Sequence, residues 1–179
     1  MNSGNPDPDR ARMFAEVAHA GQVYAEEVAY SHHTNCVVEV LKRFGFTDPV
    51  MLCAGSLHDV IEDTNRSYND VKSRFGEDVA ELVYTVTNEL GRNRKERNEK
   101  TYPKIRGNYR ATALKLADRI ANVEYSSANG GKQDMYMKEY SSFKAALFCM
   151  SGEDMKDGRV ERMWKHLDRL LGDANGTTA

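Results

Sequence analysis

An all-α, single-domain helical bundle is the fold class this sequence predicts, on three observations. Apolar residues recur at three- and four-residue spacing in almost every segment. Only four prolines occur, and two of them lie in the first nine residues, so long helices are permitted. No segment shows the period-two alternation of a half-buried strand, and no repeat or linker divides the 179 residues, a length that suits one domain with a sizeable core.

The elements follow in order. Residues 1–9 read as a polar, flexible tail whose Asp7 and Asp9 can cap a first helix bearing Phe14, Val17, Ala18 and Gly21. Cys36 to Phe44 gives a second helix, stopped at Gly45. Pro49 follows Thr47-Asp48 at a first-turn position and opens the helix that carries His58 and Asp59. Ser67 and Asp70 are spaced as a capping box for a short helix ending at Gly76. Asp78 to Asn88 is amphipathic, and from Gly91 to Arg110 the chain turns polar and basic. Ala111 to Val123 is strongly helical, Asn129-Gly130-Gly131 is a turn, and Met135 to Met150 and Gly158 to Leu171 are the last helices. Val160, Met163, Trp164, Leu167 and Leu170-Leu171 share one side of the final helix, a face for the core rather than an interface. The domain spans residues 10–171, and residues 172–179 read as a frayed tail.

Composition excludes several functions. Hydrophobic residues make up 40% and charged residues 29%, and the net charge of −2 points to neither nucleic acid nor an anionic membrane as partner. Any polyanion-binding patch must be local. Cys36, Cys53 and Cys149 are odd in number, far apart and in or beside apolar runs, as expected of buried, reduced thiols. The N-terminus lacks the layout of a signal peptide, and no apolar run approaches the roughly 20 residues that span a bilayer. The expected location is the cytoplasm. A homo-oligomer stays open.

The chemistry concentrates in Leu57-His58-Asp59-Val60-Ile61-Glu62-Asp63-Thr64. Four ionisable side chains in six residues, set against an apolar segment, cost desolvation energy unless something pairs them, and a divalent metal ion is the most economical partner. On a helix His58 sits beside Glu62 and Asp59 beside Asp63. His58 and Asp59 themselves point about 100° apart, so both reach one metal only near a helix end or cleft. That spacing suggests two layers, with His58 and Asp59 as inner ligands and Glu62 and Asp63 one turn nearer the substrate. A solvated acidic helix end is the alternative.

Two further segments join it. His32-His33 opens the second helix, and either ring could supply an imidazole. Asp118 lies on a small-residue stripe with Leu114, Ala117 and Ala121, where an aspartate needs a strong partner, an arginine or a metal. Asn122 follows one turn later. Two imidazoles and two carboxylates suit Mn²⁺, Fe²⁺, Zn²⁺ or Co²⁺, and an open position would lower the pKa of a bound water. The basic run offers phosphate partners.

In this order, His33, His58-Asp59, Glu62-Asp63-Thr64 and Leu116-Ala117-Asp118 with Asn122, the sequence resembles the HD-domain phosphohydrolases. More narrowly it resembles the hydrolase domain of the RelA/SpoT alarmone enzymes and the small alarmone hydrolases, from about His19 to Tyr140. The likeness includes His19-x-Gly21-Gln22, the helix start Phe75-Gly76-x-x-Val79, and Val86-Thr87 before the basic run. It implies a helical bundle around one Mn²⁺, or another divalent transition metal, held by His33, His58, Asp59 and Asp118. His33 is preferred to His32 because it stands three after Tyr30. The resemblance gives Glu62 and Asp63 the positioning and activation of water, Asn122 the ribose, Tyr140 a place near the nucleotide, and Arg94 or Lys95 the distal phosphates. The implied reaction removes the 3′-pyrophosphate of guanosine tetra- or pentaphosphate.

The sequence also departs from that family. The arginine expected to stack on guanine is Tyr24, the lysine beside it is Ala25, and Lys138 is the nearest substitute for a basic residue before Tyr140. A tyrosine can stack on a base but lacks the cation and its donors. The metal and water residues are intact while the base-recognition edge is altered. Another phosphorylated nucleotide (a 2′- or 3′-phosphate of the NADPH type, or a deoxynucleotide) is the second expectation, and a non-catalytic nucleotide-binding module the third.

Overall fold

The protein was analysed as a computed structural model, which describes residues 4–149 and 157–172. Met150, where the helix from Met135 was expected to end, and residues 1–3 and 173–179 of the two expected tails lie outside the described residues.

Helices dominate, as the sequence predicts. The elements are α1 (Pro8–Ala18), β1 (Val23–Ala25), β2 (Val28–Ala29), α2 (Tyr30–Arg43), α3 (Pro49–Leu57), α4 (Val60–Asp63), α5 (Tyr68–Phe75), α6 (Glu77–Val86), α7 (Arg94–Ile105), α8 (Tyr109–Asn129), α9 (Gln133–Leu147) and α10 (Arg159–Leu171). Local chemistry sets many of the boundaries. Asp7 caps α1 by accepting from the Arg10 amide, so the helix starts at Pro8, inside the stretch expected to be tail. Asp48 does the same for α3 by accepting from the Met51 amide. Ser67 and Asp70 form the expected reciprocal capping box at α5.

Two elements differ from expectation. Val23–Ala25 and Val28–Ala29 pair as a short antiparallel hairpin, with Glu26 at φ 32° in its turn. Five strand residues are too few for alternation to register in the sequence. The basic run folds as α7, with Asn93 as N-cap and ion pairs Arg92–Glu96, Lys100–Glu96 and Lys95–Glu99 along its surface. Much of its positive charge is therefore met within the helix. Pro103 falls in the last turn, where the loss of one amide donor ends the helix soon after.

The long α8 packs on α2, α3, α6, α9 and α10, and α2 also packs on α3. A single core runs through these contacts, with Leu41, Met51, Leu114, Leu116, Ile120, Phe143 and Trp164 almost wholly buried. The apolar side of α10 (Val160, Met163, Trp164, Leu167, Leu171) is buried within it. Gly55 lets α2 and α3 approach closely: a Cβ there would lie 2.8 Å from Leu41 Cδ1. That approach brings the start of α2 beside the end of α3. Cys53 is buried, Cys36 half-buried, and Cys149 is exposed rather than buried as expected; all three are free thiols. No helix among the described residues is long and apolar enough to cross a membrane.

Leu114→Ala should cost about 2–5 kcal/mol of unfolding free energy in a urea titration, because it leaves a cavity in the centre of the bundle. Ser67→Ala should cost about 1 kcal/mol through loss of the α5 cap.

Candidate metal centre and nucleotide cleft

His33 lies in the first turn of α2, His58 and Asp59 occupy the break between α3 and α4, and Asp118 sits midway along α8. The break is what the spacing of the His-Asp pair requires. His58 terminates one helix and Asp59 opens the next, so two adjacent side chains reach the same point. Both imidazoles are 2% exposed.

The donor atoms converge. His33 Nε2 lies 3.2 Å from His58 Nε2 and 3.4 Å from Asp118 Oδ1. Asp59 Oδ2 lies 2.9 Å from His58 Nε2 and 3.7 Å from His33 Nε2, and His58 Nε2 is 3.9 Å from Asp118 Oδ1. Donors bonded to one metal at roughly 2.1 Å stand about 3 to 4 Å apart, so these separations fit a common ion. Among the described residues, His33, His58 and Asp118 form a compact group able to hold a metal, and Asp59 adjoins it. His58 Nδ1 contacts the Gly55 carbonyl at 2.9 Å; a carbonyl only accepts, so Nδ1 carries a proton and Nε2, once deprotonated, is the atom that offers a lone pair to the cluster. His33 Nε2, 3.2 Å away, meets that lone pair only by donating a proton, the place a shared cation would take.

The electrostatics agree. Burial disfavours a charged His58, but Asp59 and Asp118 outweigh it and push its pKa up to about 9. Burial also opposes ionisation of Asp59 and Asp118. For Asp59 the imidazolium of His58 outweighs it, and for Asp118 the ammonium of Lys115 and the two histidines do, so both carboxyls fall below the usual range. Two ionised carboxylates therefore face the imidazoles.

A polar layer holds these donor groups. The Tyr30 hydroxyl donates to Asp59 Oδ2 at 2.6 Å and to Asp63 Oδ2 at 3.2 Å. Asn122 Nδ2 donates to Asp118 Oδ1 at 2.6 Å, and Lys115 Nζ lies 3.2 Å from Asp118 Oδ2. Glu62 accepts from both the amide and the side chain of Asn88, at 3.1 and 2.9 Å. Burial, together with the charges of Asp59 and Glu62, raises the Asp63 pKa. Gln22 links His19 to the Asp63 carbonyl.

His33, Asp59, Asp118, Glu62 and Asp63 line one cleft of about 340 Å³ together with Lys115, Arg94, Arg119 and Lys132, while His58 lies buried behind it. Arg94 is the one residue of the expected pair Arg94/Lys95 that lines it. Its Nε donates to Glu139 Oε1 at 2.7 Å, and Glu139 Oε2 lies 3.3 Å from Arg119. Lys95 and Lys138 instead line a separate groove of about 540 Å³ between α7 and α9. Helical periodicity, unseen in a run of charges, turns Lys95 about 100° from Arg94. Tyr140 does not line the cleft either: its hydroxyl donates to Asp168 on α10, while Tyr136, one turn earlier, faces the cleft. Tyr24 lines the cleft with its hydroxyl bonded to Asn122 Oδ1 at 2.8 Å, so Asn122 is engaged at both ends of its amide.

Sequence reasoning gave no role to Tyr30, Lys115, Asn88, Arg119, Lys132 and Tyr136. Tyr30 and Lys115 had a local signal, each lying three residues before a candidate ligand on the same helix. Asn88 had none, because it meets Glu62 across 26 residues.

Tyr140→Phe should leave metal affinity unchanged and lower stability by about 1 kcal/mol in chemical denaturation. Burial opposes the charge on Asp168, but Lys144 and Tyr140 outweigh it and hold its pKa down. A depressed carboxyl stabilises the fold above its unfolded pKa and loses that contribution as pH falls through the folded one. Wild type should therefore lose more Tm than Asp168→Asn between pH 7 and about pH 3.

Comparison with known proteins places the chain. Residues 11–143 match the family described as HD domain. The chain is 35% identical over 106 residues to a Drosophila melanogaster protein named guanosine-3′,5′-bis(diphosphate) 3′-pyrophosphohydrolase MESH1, covering 58% of this chain and 59% of that one. It is 36% identical over 121 residues to the bifunctional (p)ppGpp synthase/hydrolase SpoT of Escherichia coli K12, covering 64% of this chain and 17% of SpoT. The chain thus spans well under two thirds of the length of these relatives. A solved structure described as a metazoan ortholog of SpoT that hydrolyzes ppGpp superposes with a TM-score of 0.73 at 25% identity, covering 89% of this chain and 94% of that one. This chain belongs to the HD domain family.

Proposed function

We propose that the protein is a metal-dependent nucleotide phosphohydrolase that removes the 3′-pyrophosphate of guanosine tetra- or pentaphosphate, with Mn²⁺ as its metal, acting in the cytoplasm. The observation that carries this reading is the convergence of His33, His58, Asp59 and Asp118 beside the cleft that Glu62 and Asp63 line. The names of the fly and bacterial relatives supply the substrate.

A divalent metal bound by the four donors would supply Lewis acidity, lowering the pKa of water and drawing charge from a phosphoryl oxygen. The chain's own residues do the rest. Glu62, immobilised by Asn88, orients the attacking water with its remaining lone pairs. Asp63, made more basic by burial and by the charges of Asp59 and Glu62, takes the water proton at a carboxylate oxygen. The new P–O bond forms as the bond to the 3′ oxygen breaks; that oxygen takes up a proton from solvent, and Asp63 releases the one it accepted. Lys115, Arg94 and Arg119 line the same cleft, where they counter the phosphate charge.

One observation favours a second reading, a different phosphorylated nucleotide. Tyr24 is committed to Asn122 and Ala25 offers no donor, so the edge that should stack on and hydrogen-bond guanine is occupied. A nucleotide panel assayed with Mn²⁺ for phosphate and pyrophosphate release decides between them. Pyrophosphate from guanosine tetraphosphate supports the first reading; phosphate from NADPH or cleavage of a deoxynucleotide, with the alarmones untouched, replaces it with the second. Glu62→Ala should lose about 10²–10⁴-fold in kcat while keeping its metal. Lys95→Ala and Lys138→Ala should leave kcat/KM unchanged.

A further inference from the structure

Tyr24 stands on β1 at the cleft edge, where its ring lies parallel to the His33 imidazole, with centroids 4.8 Å apart and planes 9° apart. Tyr125 meets it edge-on, 4.8 Å away at 69°. Its hydroxyl donates to Asn122 Oδ1 at 2.8 Å, and the same amide donates from Nδ2 to Asp118 Oδ1 at 2.6 Å. One side chain therefore covers the face of one metal donor and, through one amide, restrains another.

His33 has particular need of such a brace. His58 is anchored through Nδ1 to the Gly55 carbonyl, and Asp59 is held by Tyr30. His33 Nδ1 is buried and has no hydrogen-bond partner. A metal-ligating imidazole ordinarily has its second nitrogen fixed by a hydrogen bond that sets the ring plane. Here a flat aromatic plate is what opposes rotation of the ring. The contact also favours the loaded state: an imidazole that donates its lone pair to a cation becomes electron-poor, and the face of a phenol ring is negative.

We propose that Tyr24 is a positioning residue for the metal, holding His33 by stacking and Asp118 through Asn122, and thereby couples the β1–β2 hairpin to metal occupancy. The inference rests on the reading that the four-donor cluster binds a divalent metal. It gives the departure at this position a use: a residue engaged on its face and at its hydroxyl serves the metal rather than a base.

The test is direct metal binding by the full chain, stripped with chelator and titrated with Mn²⁺ and Zn²⁺ against a chromophoric competitor. Circular dichroism of the metal-free forms accompanies it. Tyr24→Ala should weaken binding by about 10- to 100-fold, the range for residues that support metal ligands, with helical content unchanged. Tyr24→Phe, which keeps the stack and loses the hydroxyl, should fall between Tyr24→Ala and wild type. Hydrogen exchange should show metal slowing the hairpin amides in wild type but not in Tyr24→Ala. Affinity within a factor of two of wild type in Tyr24→Ala, or a hairpin indifferent to metal, overturns the inference while leaving the metal reading intact. Should Tyr24→Ala lose its helical signal, Tyr24→Phe decides, and wild-type affinity with wild-type hairpin protection overturns the inference. A wild-type chain that takes up no divalent metal overturns both readings.

Discussion

Four cation-seeking groups crowded into one spot constrain the rest of this molecule. Two almost wholly buried imidazoles present nitrogens 3.2 Å apart, with two carboxylates within 4 Å of them. Such a cluster repels itself unless a proton or a cation lies between its members, and burial magnifies both the repulsion and its relief. The fold accepts that strain by drawing the donors from three places on rigid helices. Gly55 permits the close approach of α2 and α3, the break after Leu57 lets adjacent residues point inward together, and α8 offers Asp118 from a face of small residues.

A second consequence is the polar layer behind the donors. Tyr30, Asn122, Lys115 and Asn88 each hold a carboxylate in one orientation. Side chains restrained in this way pay little further ordering cost when a ligand arrives, which is what preorganisation means physically. Acidic and basic residues line the same cleft, with Glu139 tying Arg94 to Arg119 so that the two guanidinium groups stay close despite their like charge.

The basic run shows where charge is a poor guide to position. Eight cations between Arg92 and Arg110 suggest a phosphate-binding loop. Folded, the segment is mostly α7, and glutamates spaced one turn away meet several of those cations on the helix surface. Arg94 reaches the cleft, and its neighbour Lys95 does not. Likewise Tyr136 faces the cleft and Tyr140, one turn on, ties α9 to α10. Residues one turn apart lie on similar sides of a helix, so only the packing of α9 against α8 and α10 separates them.

The sequence by itself determined the helical class, the capped starts of α3 and α5, and the residues able to ligate a metal. These features rest on local rules, namely apolar period, capping chemistry and the desolvation cost of ionisable groups in apolar segments. Tertiary structure alone decided which polar groups support those ligands and which basic residues face the cleft. Asn88 meets Glu62 across 26 residues and Tyr24 meets Asn122 across 98, distances over which no local pattern carries a signal. Contacts of that kind exist only once the helices have packed.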